Sequence, residues 1–215
     1  MSAALAGTGS LAKTGAGTVT LSSANAYSGG TIVNAGTLQL SGTGTLGNIG
    51  GATTINGGAL DLGGTTQTQN GGLTLTGGTL QNGTLSSSGT FDMEAGTVSA
   101  ALAGTGGVSK TTAGTATFSG ANTYTGNTSI TNGTLALTGS GTLGAITNAV
   151  TVNGATVILD LGGTTQTQNG GVSLQAGGTI QNGTLSSTAT FDMQSGTVSA
   201  ALAGSGALIK SGTTR

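Results

Sequence analysis

The sequence predicts an all-β fold: a right-handed, single-stranded parallel β-helix of about ten coils, each of roughly 18–24 residues. Three observations carry this. The chain repeats itself at two scales. Its apolar residues alternate with polar ones in short runs bounded by Gly and Asn. It also has very few large side chains: 2% of its 215 residues are aromatic and 45 are Gly. A β-sandwich fills a gap of about 10 Å between its sheets with large side chains, whereas a solenoid coil can be narrower because each turn stacks on the next. The uneven turns suit the larger, right-handed form.

The long repeat shows first. Lys13–Leu40 returns as Lys110–Leu137, and Ser2–Gly7 recurs at Ser99–Gly104 and Ser199–Gly204. Lys13, Lys110 and Lys210 mark one point in three copies. The chain 1–215 therefore reads as one β-helical domain of repeats 2–98 and 99–198 and the start of a third, 199–215. Starting and stopping in mid-pattern predicts a segment of a longer array.

The short period follows a column that opens each strand: Thr18, Thr37, Ala59, Thr79, Thr97, Thr115 and Thr134, resuming at Thr179 and Thr197 after a place where Thr156 and Ile158 compete. In Thr37-Leu38-Gln39-Leu40 the two Leu share one face and the polar residues the other. The inward set is then Leu38, Leu40, Leu60, Leu62, Leu135, Leu137, Leu159 and Leu161. The threonines form an outward ladder. Thr31–Val33, Thr53–Ile55 and Thr151–Val152 supply second strands, and Asn-Gly pairs supply tight corners at little backbone cost. No window holds a 3.6-residue apolar period, so no helix is expected.

Composition narrows the function. With 4% charged residues and a net charge of −1, the chain lacks the field that attracts nucleic acid or anionic lipid, and also the net charge that keeps a disordered chain expanded. No apolar run approaches the roughly 20 residues that span a bilayer. The absence of Cys and His removes disulfides, thiolate metal sites and a Ser-His-Asp triad. No cofactor and no small-molecule substrate are expected.

Asp92 and Glu94 stand at i, i+2, one face of a strand, as a glycosidase pair would. Glu94 becomes Gln194 in the next copy, however, while Asp61 is answered by Asp160 and Asp92 by Asp192. A solvated strand face accounts for them better than catalysis. Lys13, Lys110 and Lys210 lie five coils apart and cannot converge on one centre. Gly42–Gly47 and Gly139–Gly144 fit a G-x-G-x-x-G pattern, but 45 glycines make this match uninformative. An outward threonine ladder could present an ice-binding face, yet its second column is mixed, and β-propensity explains the threonines. Tyr27 and Tyr124 cover the core at equivalent corners.

The run GTGSLAKTGAGTVTLSSANAYSGGTIVNAGTLQLSGTGTLG, with its second copy at Gly104–Gly144, resembles the autotransporter-associated β-strand repeat of bacterial autotransporter passengers. That resemblance implies a β-helical stalk exported across a Gram-negative outer membrane, with a C-terminal translocator barrel as partner, this chain being passenger only. A chain without Cys or Pro suits such export, lacking both disulfides and slow prolyl isomerisation. A spacer that presents an adhesive or effector region is the first expectation. An adhesin whose polar Thr/Ser/Asn/Gln face binds host surfaces or copies of itself is the alternative.

Overall fold

A computed structural model, describing residues 1–212, shows ten coils and the opening of an eleventh, with no helix among those residues. Coil 1 carries β1 (Leu11–Lys13) and β2 (Thr18–Leu21), and coil 2 carries β3 (Thr31–Val33) and β4 (Thr37–Leu40). Three strands then make each of coils 3 to 5: β5 (Thr53–Ile55), β6 (Ala59–Asp61) and β7 (Thr66–Thr68); β8 (Leu73–Leu75), β9 (Thr79–Gln81) and β10 (Thr84–Ser86); β11 (Phe91–Met93), β12 (Gly96–Val98) and β13 (Ala101–Ala103). The scheme repeats. Coils 6 and 7 have two strands each, β14 (Val108–Lys110) and β15 (Thr115–Phe118), then β16 (Thr128–Ile130) and β17 (Thr134–Leu137). Coils 8 to 10 have three, running from β18 (Val150–Asn153), β19 (Ile158–Asp160) and β20 (Thr165–Thr167), through β21 (Val172–Gln175), β22 (Gly178–Gln181) and β23 (Thr184–Ser186), to β24 (Phe191–Met193), β25 (Gly196–Val198) and β26 (Ala201–Ala203). β27 (Leu208–Ile209) opens the eleventh.

First strands of all coils form one parallel ladder, face A, from β1 to β27, and second strands form face B, from β2 to β25. Face C is discontinuous. It is a three-stranded sheet in coils 3–5 and again in coils 8–10, and irregular loops replace it elsewhere. Strand alternation drives this shape. In β4 Leu38 and Leu40 are buried while Thr37 and Gln39 face out, and the same holds along β17. Leu38, Leu40, Leu60, Leu62, Leu135, Leu137, Leu159 and Leu161 all lie in one continuous core, at most 1% exposed.

The register spans 22 residues from Thr31 to Thr53, so the coils keep to the expected 18–24 except that coils 5 and 10, at 17, fall one residue short. Coil 5 is short because only Glu94 and Ala95 separate β11 from β12, and only Ser99 and Ala100 separate β12 from β13. The single threonine column needs correction. Thr97 pairs with Thr117, not Thr115, because inward Val98 stacks on Phe118. Where Thr156 and Ile158 competed, Ile158 takes the place beside Thr134.

Candidate functional site

The outward columns are the surface this rod offers. On face A, Thr54, Thr74, Asp92, Ser109, Ser129, Thr151, Ser173 and Asp192 stack in unbroken succession. Near its C-terminal end this column borders a shallow open trough lined by Thr151, Ser173, Thr190 and Asp192, with Gly170 and Gly171 beneath. On face B the eight threonines divide. Thr18, Thr37, Thr79 and Thr97 share one column, interrupted by Ala59. Thr115, Thr134, Thr179 and Thr197 form another, interrupted by Ile158. A two-residue step at the junction of coils 5 and 6 separates them.

The lysines explain that step. Strand β14 points Val108 and Lys110 inward, and Lys110 is fully buried, its Nζ curling back to donate to Thr112 O and, at 3.3 Å, to Thr112 Oγ1. Four residues, 111–114, make this corner, against two in coil 5. The longer corner houses the ammonium and displaces face B by one inward–outward pair. Lys13 repeats the arrangement, donating to Gly15 O and, at 3.0 Å, to Ala35 O of the next coil. Burial lowers the pKa of Lys110, and the negative charges of Glu94 and Asp92 partly restore it. Lys210, at the open end, is exposed.

This makes trypsin a reporter of folding. The native protein should be cut after Lys210 while the Lys110–Thr111 bond survives, and denaturant should open the latter. Intact-mass analysis of a timed digest would show it, and early cleavage after Lys110 under native conditions would contradict the burial.

Asp61 and Asp160 each tie a corner together. Asp61 accepts from Gly63 N (2.8 Å), Gln81 Nε2 (3.2 Å) and Asn82 Nδ2 (3.0 Å). Asp160 accepts from Gly162 N, Gln181 Nε2 and Asn182 Nδ2 at 2.8–2.9 Å. Asn82 and Asn182 adopt left-handed backbone, φ 55°, which lets them reach down one coil. Burial pulls each carboxyl's pKa up, but the three N–H donors together outweigh it and hold both below the usual aspartate value. A depressed folded pKa means stability that is present above the unfolded pKa of about 3.9 and lost as pH falls through the folded value. Wild-type thermal stability should therefore decline below about pH 4, and by less in the D61N/D160N double variant. Equal acid sensitivity of the two proteins would refute the contribution.

Asp61 lies on face B of coil 3 and Asp92 on face A of coil 5, so these two carboxylates do not gather, while Glu94 follows Asp92 at the corner of coil 5. The Ser211 hydroxyl and Gln194 amide hold Asp192 below its usual pKa. Tyr27 and Tyr124 are buried, and their hydroxyls bond Thr31 and Thr128 at 2.7 and 2.8 Å. Phe91 of coil 5 packs against Tyr124 with ring centroids 6.0 Å apart.

Sequence reasoning missed the buried amides that bridge coils. In the loops that interrupt face C, Asn122 Oδ1 accepts from Leu102 N of coil 5 (2.9 Å), and its Nδ2 donates to Thr142 O of coil 7 (2.8 Å). Asn25 bridges Leu5 N and Thr45 O in the same way. Gln166 Oε1 accepts from Leu143 N (3.0 Å) while its Nε2 donates to Gly141 O (3.1 Å), as Gln67 does for Leu46 and Gly44. Side-chain amides thus carry the axial hydrogen bonding across the gaps where no strand exists. The available signal was the recurrence of Asn25 at Asn122 and of Gln67 at Gln166.

Residues 11–40 and 108–137 each match the family model of the passenger-associated-transport-repeat. In the structure these stretches are β1 to β4 and β14 to β17, the two-stranded coil pairs that hold the buried lysine, the buried tyrosine and the bridging Asn. No curated protein and no solved structure matches the chain.

Proposed function

We propose that this chain is a β-helical segment of an autotransporter passenger and that its job is mechanical: a stalk that spaces or presents an adhesive or effector region. One observation carries this reading. Face A is a single ladder of eleven strands, so axial hydrogen bonds run through the rod without a break. At about 4.8 Å per coil they extend it by roughly 50 Å. In this role the chain catalyses nothing, needs no cofactor and binds neither nucleic acid nor a small-molecule substrate. It is secreted or held at the cell surface, and its partner is a translocator barrel.

The outward Thr/Ser/Asp column of face A supports the second reading, an adhesin that binds host surfaces or copies of itself through its own wall. Labelled protein incubated with epithelial cells, with bacteria and with immobilised polysaccharide separates the two. Absence of saturable binding agrees with the stalk. Saturable binding, weakened by replacing Ser109, Ser129 and Thr151 with Lys, would overturn it in favour of the adhesin.

A further inference from the structure

We propose that Asn132 is a site of spontaneous self-modification, forming a succinimide with Gly133 and opening to aspartate or isoaspartate, ahead of every other Asn-Gly pair in the chain.

Asn-Gly is the dipeptide in which backbone nitrogen reaches the side-chain carbonyl with least steric hindrance, and the sequence contains seven: at Asn56, Asn70, Asn82, Asn132, Asn153, Asn169 and Asn182. The fold treats them differently. The glycine nitrogens after Asn56, Asn70, Asn153 and Asn169 are tied to carbonyls of other coils: Gly57 to Val33, Gly71 to Gly51, Gly154 to Gln175 and Gly170 to Asn148. Asn82 and Asn182 sit in left-handed backbone with their Nδ2 atoms tied to Asp61 and Asp160. Attack there must break that tie and turn the backbone.

Asn132 is placed otherwise. The Gly133 N–H donates to the Oδ1 of Asn132 itself at 2.9 Å, so the attacking nitrogen rests beside the carbonyl it must reach. The corner also holds positive charge. Thr112 O, which accepts from Lys110 Nζ, stands against the position a Cβ on Gly133 would take. A buried ammonium close by favours loss of the Gly133 N–H proton and stabilises the oxyanion that develops on Oδ1.

The Gly133 N–Asn132 Cγ bond forms and the Cγ–Nδ2 bond breaks. Ammonia leaves with the proton given up by the glycine nitrogen. Water then opens the imide, at Cγ to give aspartate or at the main-chain carbonyl to give isoaspartate. The equivalent position in coil 2 is Ala35, so the first repeat is immune at this corner.

The test is peptide mapping by mass spectrometry of full-length protein held at mildly alkaline pH, folded and in parallel unfolded in urea. Each site is scored by the mass gain of exchanging –NH2 for –OH. Unfolded chains should convert the seven sites at similar rates. Folded protein should convert Asn132 several-fold faster than any of the other six, and K110M should slow Asn132 alone. Asn132 staying an amide while another site converts, or seven sites slowed alike, would overturn the proposal. So would an unchanged Asn132 rate in K110M that retains native trypsin resistance.

Discussion

Leu135→Asp is expected to unfold coils 6 to 8 and to lower stability by several kcal/mol, the cost of an unpaired charge inside the core. Leu135 is fully buried and stacks between Ala116 of coil 6 and Leu159 of coil 8. No cation faces it on those strands. Because each coil of a solenoid contacts mainly its neighbours, the damage should spread axially from the substituted coil. Two readouts check this. Denaturant unfolding should show a loss of that size, and Lys110, protected in the native protein, should become a trypsin site. Thr134→Asp, one residue away on the outward side, should stay within about 0.5 kcal/mol of wild type. If both variants melt alike, inward and outward have been assigned wrongly.

The second large effect is expected from Asn122→Leu. This swap keeps the volume roughly constant but orphans Leu102 N and Thr142 O, both held by the Asn122 amide. An unsatisfied buried backbone group costs about 1–3 kcal/mol, so the pair should cost about 2–6 kcal/mol. Most of the loss should appear where coils 5, 6 and 7 meet, read as faster hydrogen exchange at Leu102 and at Asn148, whose amide groups bond Tyr124 O and Ala145 O. A variant as stable as wild type would mean that the loops of coils 6 and 7 are held by something other than this bridge.

These two substitutions also mark what the sequence discloses. Leu135 was legible because Thr134-Leu135-Ala136-Leu137 alternates, and alternation assigns faces without any knowledge of the third dimension. Asn122 was not, because a polar residue in a Gly/Ser/Thr-rich loop reads as surface. Only the coils above and below reveal that its amide stands in for a missing strand. Lys110 lay between these cases. In Val108-Ser109-Lys110 it shares the parity of inward Val108, so the pattern already placed it inside, but burying a cation contradicts the usual ranking. Backbone carbonyls supplied by its own corner resolve the conflict. The threonine column failed at that same corner. Its strands were aligned by their first residues, whereas the structure aligns them by inward side chains, Val98 on Phe118 and Gly96 on Ala116.

Equivalent residues stack coil over coil along one axis. The chain has no cysteine, so pairs of outward residues can be replaced cleanly. On face A, Ser109 pairs with Ser129 and Ser129 with Thr151. Neighbouring parallel strands lie about 4.8 Å apart, within disulfide reach, and strands two coils apart lie at about 9.6 Å, beyond it. Air oxidation should therefore close S109C/S129C and S129C/T151C and leave S109C/T151C open. Closure of the last pair within a monomer, or failure of both neighbouring pairs, would contradict the stacked-coil architecture.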